Sequence, residues 1–194
     1  MSVNSAFVTS DAFWQYSLRV YGAGQTKDCL LYLQEEANLN VNILLFSGFL
    51  ASKGYMLYAT DIAHLFKAIK PLDERTKRLR AKRIRFALAC SGQSKCKLSA
   101  YYKALMATEI MSEKEQQEAI VTAASDILKR PVLTNISYVF QNLKSELVKS
   151  AYFYANNNLD CPGSDLSSDK KLEKSTLIRQ KISVLVQQFS TVGR

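Results

Sequence analysis

The chain has 194 residues, of which 47% are hydrophobic and 22% are charged, and its formal net charge is +9. This composition excludes wholesale disorder, and the length allows one helical domain with an appendage. Only 7 glycines and 3 prolines are present, fewer than the turns of a sheet protein of this size require, so we expect an all-α protein.

The first ten residues lack the basic and apolar pattern of a secretory signal, so we expect a cytoplasmic protein. The longest uncharged run, residues 37–52, contains 16 residues and includes three asparagines. A membrane-spanning helix needs about 20 mostly apolar residues. The run is therefore predicted to be a buried helix, with no membrane association.

Four cysteines occur without a Cys-x-x-Cys spacing, and His64 is the only histidine. Reduced structural thiols are the expectation from this pattern, because it does not match a zinc site. The sequence also lacks the common phosphate-binding, hydrolase and metalloprotease motifs. It therefore predicts no metal, no cofactor and no catalytic residue, and it favours a non-catalytic role over an enzyme.

Cap and breaker residues bound eight predicted helices. The first helix lies between cap candidates at 9–11 and Gly22. The other seven are predicted at 26–37, 41–52, about 61–70, 72–90, 98–124, 135–154 and 172–189. The third is almost continuously apolar, which predicts burial at the centre of the core.

Several helix ends carry specific expectations. Gly22 is predicted to be left-handed at the end of the first helix, and Asn40 is predicted to cap the third. Pro71 is predicted to separate two helices, because proline cannot donate a backbone hydrogen bond. Thr134 is the expected cap of the seventh helix. The sixth helix is expected either to be continuous or to break near Ser112.

We predict a flexible segment at 1–9, a helical core domain at 10–125 and a helical extension at 126–194 with a polar linker near 156–170. The fold class is all-α, a multi-helix orthogonal or bundle-like domain with a helical C-terminal extension. The apolar face of the last helix is expected either to fold back on the core or to pair with a second copy.

Two motifs suggest a family. They are Phe13-Trp14-Gln15-Tyr16-Ser17-Leu18 and Val41-Asn42-Ile43-Leu44-Leu45-Phe46. Through them the chain resembles an uncharacterised, all-helical bacterial family, well over Phe13 to Leu57 and more weakly to Ile120. The resemblance implies a helical, cytosolic protein and no catalytic residue.

The strongest physical signal is a basic helix, with nine basic and two acidic residues between positions 67 and 85. The leading hypothesis is an interaction module that docks an acidic protein surface, because guanidinium groups suit carboxylates and phosphates. The predicted contact residues are Arg75, Arg78, Arg80, Lys82, Arg83 and Arg85. RNA or DNA binding by the same face is the alternative. A third interpretation is a solvated face whose arginines pair with Glu109, Glu113, Glu115 and Glu118.

A small-molecule enzyme with a pocket between the first and third helices is a further hypothesis. Its candidate pocket residues are Trp14, Tyr21, Asn42 and His64. The helical spacing of the aromatic residues favours the core over a stacking platform. Capping of the third helix is the favoured role of Asn42, with a ligand contact as the alternative, and a structural or surface position is favoured for His64 over a general base.

Overall fold

A computed structural model describes residues 8–90, 99–157 and 168–192. These ranges form seven α-helices and one 3-10 turn and contain no strand, so the all-α prediction is confirmed. The helices are α1 Ser10–Tyr21, α2 Thr26–Ala37, α3 Val41–Ser52, α4 Ala59–Ala89, α5 Ala100–Ala123, α6 Ile136–Asn157 and α7 Ser168–Val192, with the 3-10 turn at Ile127–Lys129. Among the described helices, none has the length and apolar character needed to cross a membrane.

Side chains cap the first and third helices as predicted. Thr9 Oγ1 accepts a hydrogen bond from Ala12 N at 3.1 Å. Asn40 Oδ1 accepts one from Ile43 N, also at 3.1 Å. Each cap satisfies a backbone donor that has no partner within its helix.

The predicted left-handed Gly22 is wrong. Gly22 follows α1 but has φ −82°, in the right-handed region. The backbone instead takes a positive φ of 49° at Gly24, between α1 and α2. Asn38 is left-handed, with φ 51°, and ends α2.

Pro71 does not separate two helices, because α4 runs through it from Ala59 to Ala89. Proline in a helix interior costs about 3 kcal/mol, since it removes a hydrogen bond and crowds the preceding turn. Burial of residues of α4 before and after Pro71 offsets this cost. Ile69 is buried before the proline, and Asp73 and Thr76 are buried after it.

Other predicted boundaries shift more modestly. Helix α5 is continuous through Ser112. Asn135, not Thr134, caps α6, because Asn135 Oδ1 accepts a hydrogen bond from Tyr138 N at 3.1 Å. Since α6 reaches Asn157 and α7 begins at Ser168, both ends of the predicted polar linker are helical, and its middle lies outside the described residues.

Helix α3 occupies the centre of the core, as predicted. Its ten residues from 42 to 51 are all buried, and α3 contacts every other helix. Gly48 permits the close approach of Phe189 on α7, because a Cβ atom at position 48 would lie 2.5 Å from Phe189 Cγ. Phe189 is fully buried, so the ring has little room to move away.

Helices α6 and α7 cover the same core. Leu143 and Leu147 of α6 and Ile182 and Leu185 of α7 are buried in one hydrophobic cluster with α1–α3. Of the two alternatives for the last helix, folding back on the core is the one observed. The predicted domain boundary near residue 125 and the flexible segment at 1–9 stay predictions, the latter falling almost entirely outside the described residues.

The cysteines differ in state. Cys29 is a buried free thiol, and burial raises its pKa. Cys90 is disulfide-bonded. The expectation of reduced thiols is therefore wrong for Cys90, since spacing in the sequence does not determine which cysteines meet in space.

An ion pair ties the start of α4 to the segment between α5 and α6. The two terminal nitrogens of Arg130 donate to the two oxygens of Asp61, at 2.6 and 2.7 Å. Burial raises the pKa of this carboxyl. Hydrogen bonds from Arg130 and from Tyr58 N have a larger, opposite effect, so the net pKa is below its ordinary value. Nearby, Leu133 N donates to Gly54 O at 2.9 Å and holds the same segment against the end of α3.

Gly48→Ala should destabilise the protein by about 1–3 kcal/mol, because its Cβ overlaps the Phe189 ring. In a Phe189→Ala background the same change should stabilise, since the overlap is gone and alanine favours a helix over glycine by about 1 kcal/mol. Urea unfolding of the four proteins measures both effects. An equal effect of Gly48→Ala in the two backgrounds would contradict this contact.

Arg130→Met should lower the free energy of unfolding at neutral pH by about 1–2 kcal/mol, because Asp61 loses its charged partner. The unfolded carboxyl titrates near pH 3.9 and the folded one below that value, so the contribution is complete above about pH 4 and disappears as pH falls through the folded pKa. Chemical unfolding across this pH range tests the trend. Lys129→Met, which removes an exposed pair with Asp126, should leave stability unchanged.

Candidate functional site

Helices α4 and α5 lie antiparallel, and a ladder of ion pairs joins them. Glu109 accepts from two arginines, with Arg80 Nε at 2.9 Å and Arg83 Nε at 2.6 Å. Arg80 also donates through Nη2 to Glu113, at 2.9 Å. Arg75 pairs with Glu115 at 2.6 Å at a more exposed position. Three of the six predicted contact residues therefore bind the neighbouring helix.

The environments of the two inner glutamates differ. Burial raises the pKa of Glu109, but hydrogen bonds from Arg83 and Arg80 outweigh it, so the net pKa is below the ordinary value. Burial also raises the pKa of Glu113, and there the opposing effect of Arg80 is too small to reverse it. Glu109 is the carboxylate that contacts both arginines, whereas Glu113 contacts Arg80 alone.

The other three predicted contact residues face solvent. Arg78, Lys82 and Arg85 are exposed, and no carboxylate in the described part of the chain lies within ion-pair distance of them. The paired interpretation thus holds for Arg75, Arg80 and Arg83. Glu118, which was also expected to pair, forms no ion pair with a described residue.

A cavity of about 780 Å³ lies between α1–α3 on one side and the α4–α5 pair on the other. Apolar side chains form much of its wall, including Trp14, Leu18, Leu31, Ile84, Met106 and Ile110. Polar side chains form its floor, including Asn40, Asn42, Asp73, Thr76, Gln116 and Gln117. The inner arginines Arg80 and Arg83 line the same cavity with their glutamates.

The floor is a network of buried amides that connects three helices. Asn40 Nδ2 donates to Asp73 Oδ1 at 2.7 Å and to Gln116 Oε1 at 3.1 Å. Asn42 Nδ2 donates to the same Gln116 oxygen at 3.2 Å. Gln117 Nε2 donates to Asn42 Oδ1 at 2.9 Å. The network rigidly orders the bottom of the cavity, since each amide is held by its neighbours.

The structure brings three of the four predicted pocket residues together. Trp14, Tyr21 and Asn42 line the cavity, whereas His64 is exposed and is not among its lining residues. Trp14 is only half-buried, so the expectation that it belongs to the core is wrong. The predicted capping role of Asn42 is also wrong, because Asn40 caps α3 and Asn42 bonds instead to the glutamines of α5.

Sequence reasoning missed most of the floor. Gln116 and Gln117 stand in a Glu-rich stretch that resembles a solvated surface, yet both are buried. Their partners Asn40 and Asn42 lie 74 to 76 residues away along the chain. Among the described residues, no group of three or more histidine, cysteine, aspartate or glutamate side chains is arranged to hold a metal ion.

Glu109→Gln should lower the free energy of unfolding by about 1–3 kcal/mol, because Arg80 and Arg83 both lose their shared anion. Glu115→Gln, on the same helix, is the matched control. It should change stability by less than about 0.5 kcal/mol, since its pair with Arg75 is exposed. Denaturant unfolding compares them, and equal effects of the two changes would show that the shared pairing is not the source of the stability.

No curated protein and no solved structure matches this chain. One family model, described as "Protein of unknown function (DUF2390)", matches residues 12–120, which is more than half of the chain. The matched range contains every cavity-lining residue and the whole basic face of α4. The chain therefore belongs to the DUF2390 family of proteins of unknown function.

Proposed function

We propose that this protein is a non-catalytic interaction module that docks an acidic protein surface through the outward basic face of α4. We define this face by Lys67, Lys70, Arg78, Lys82 and Arg85. The supporting observation is the contrast between the two sides of one helix. The inner arginines have carboxylate partners on α5, whereas these five exposed cations form no ion pair with a described residue.

The outward basic face has a regular geometry. At 100° per residue, Arg78, Lys82 and Arg85 fall within about 60° of one another around the helix axis. Lys67 and Arg85 are 18 positions apart, which corresponds to about 27 Å along the axis. A partner helix or strand of ordinary length can therefore contact several of these cations at once.

Several contacts are needed because each one is weak. An exposed ion pair contributes about 0–1 kcal/mol, so a single arginine would not hold a partner. A row of like charges also accelerates association with an oppositely charged surface and rejects basic ones. These properties favour a reversible, salt-sensitive complex.

A protein surface fits this face better than a nucleic acid. Glu74 is exposed and lies between Lys70 and Arg78 on the same side of α4. Its carboxylate would repel a phosphate backbone running along the row. A protein partner can meet Glu74 with a basic or neutral side chain while presenting carboxylates to the cations.

The variant with Arg78→Glu, Lys82→Glu and Arg85→Glu should lose the acidic partner while keeping the helical circular dichroism of the wild type. The immobilised full chain is exposed to extract from its native cells at low salt and is eluted with high salt. Mass spectrometry of the eluate, followed by binding of the purified candidate, should show at least about a tenfold loss of affinity, equivalent to 1.4 kcal/mol.

A matched control separates the position of the charges from their number. Lys144→Glu, Lys170→Glu and Lys171→Glu lower the net charge of +9 by the same six units on other exposed sites. This control should bind like the wild type. Equal loss in both triple variants would refute a specific face, and an eluate dominated by absorbance at 260 nm would identify nucleic acid as the partner instead.

A further inference from the structure

We propose that the cavity between α1–α3 and the α4–α5 pair binds a small amine with an apolar body, whose ammonium group pairs with Glu113. The volume of about 780 Å³ is within the range of ligand sites, which are typically about 300–1,000 Å³. None of the five residues of the outward basic face lines this cavity, so the inference does not depend on the proposed docking function.

Glu113 receives less positive charge than its neighbour Glu109. Arg83 donates to Glu109 through two nitrogens and forms no ion pair with Glu113. Arg80 donates to Glu113 through Nη2 at 2.9 Å, but its Nε donates to Glu109 and its Nη1 to Gln34. Among the described residues, one shared guanidinium group is therefore the only cation paired with Glu113.

The second oxygen of Glu113 is accessible from the cavity. Oε1 accepts a hydrogen bond from Arg80, whereas no described residue donates to Oε2. Unlike the side-chain oxygen of Gln117, Glu113 Oε2 is unpaired without being buried. The Glu113 side chain is 33% exposed and lines the cavity, so a ligand can reach this oxygen.

The charged form of Glu113 is poorly stabilised by the protein alone. Burial raises the pKa of its carboxyl, and the opposing effect of Arg80 is too small to reverse this. The negative charge of Glu109 raises the same pKa as well. A cation in the cavity would favour the charged form, because opposite charges attract more strongly where water is partly excluded. An ammonium group, which only donates, suits the unpaired oxygen.

Tyr21 of α1 adds an aromatic ring next to this carboxylate. The hydrogen bond from Gln117 Nε2 to Ser17 Oγ, at 3.2 Å, joins α5 to α1. Glu113 lies one turn from Gln117, and Tyr21 lies one turn from Ser17. Burial raises the pKa of the Tyr21 hydroxyl, and the nearby charge of Glu113 raises it further. An ammonium group on Glu113 can therefore also contact the ring of Tyr21.

The wall of the cavity offers an apolar surface to the rest of the ligand. Four of its large apolar side chains are between 41% and 54% exposed, namely Leu18, Ile84, Met106 and Ile110. A ligand body that covers these side chains removes apolar surface from water, which favours binding. The flexible side chain of Met106 can adapt to bodies of different shape.

Lys114 restricts which end of the ligand meets which wall. Its Nζ lies 4.8 Å from the centre of the Trp14 ring. A ligand ammonium group placed at the same ring would be repelled by this lysine. The charged end of the ligand is therefore expected at Glu113, and its apolar body towards Trp14, which is half-buried at the cavity.

The charges of the lining favour a cation over an anion. Three basic and four acidic residues line the cavity, a net charge of −1 in a chain of +9. An anion would have to displace a carboxylate from Arg80 or Arg83. The third base, Lys27, is exposed, and a single exposed ion pair is weak. An ammonium group displaces nothing, because it uses an oxygen of Glu113 that has no described donor.

The experiment uses the chain's single tryptophan, Trp14, as a reporter located in the site. Phenethylamine, phenethyl alcohol and phenylacetate have similar bodies but are cationic, neutral and anionic. Each is titrated into the full chain at neutral pH and constant ionic strength, with selective excitation of tryptophan. Phenethylamine should give a saturable change of fluorescence with a dissociation constant below the millimolar range. Phenethyl alcohol should bind at least about tenfold more weakly, and phenylacetate should give no saturable change.

Variants connect this preference to Glu113. Glu113→Gln should weaken phenethylamine binding by about tenfold and leave phenethyl alcohol unchanged, because only the amine uses the charge. Glu115→Gln, on the same helix but outside the lining, is the matched control and should bind as the wild type does. Ile110→Lys places a competing ammonium group one turn from Glu113 at an exposed position. It should also weaken phenethylamine binding, and it serves as the test if Glu113→Gln does not fold.

Three results would overturn the proposal. The first is no saturable change with phenethylamine at low-millimolar concentration. The second is binding of phenethyl alcohol or phenylacetate as tight as that of phenethylamine, which would show that the site does not select a cation. The third is unchanged phenethylamine affinity in folded Glu113→Gln or, where that variant does not fold, in Ile110→Lys.

Discussion

The complete burial of α3 is the constraint on which the rest of the structure depends. A helix surrounded by protein has no water to satisfy the backbone donors of its first turn, so Asn40 must supply the acceptor. Asn40 is then itself a buried amide and needs partners, which α4 and α5 provide through Asp73 and Gln116. The burial of α3 thus requires a polar network at its N-terminal end, and this network forms the floor of the cavity.

Helix α4 combines two electrostatic environments on one backbone. On its inner side, arginines are dehydrated in part and share carboxylates with α5, as Arg83 does with Glu109. On its outer side, Arg78 and Lys82 remain hydrated and without a described partner. The sum of basic residues in the sequence does not distinguish these environments, because a helix places neighbouring residues on different sides. The helix packed beside a basic helix therefore determines which of its cations are paired and which face solvent.

The sequence predicts the elements governed by local rules. The caps at Thr9 and Asn40 and the apolar run of α3 are visible as short patterns, and all are confirmed. Pro71 is mistaken for a boundary because its cost is offset by burial on both sides, which is a tertiary effect. The floor of the cavity is hidden for the same reason. Gln116 and Gln117 look like surface residues until their partners, more than seventy positions away, are known.

The contact between Gly48 and Phe189 crosses the limit of the family match. Gly48 lies inside the range 12–120, whereas Phe189 belongs to a helix beyond it. The missing side chain at position 48 leaves a notch in α3 that Phe189, from outside the matched segment, enters in this chain. A family member with a different C-terminal region must therefore close that notch in another way, and the pair of residues at these two positions would then change together during evolution.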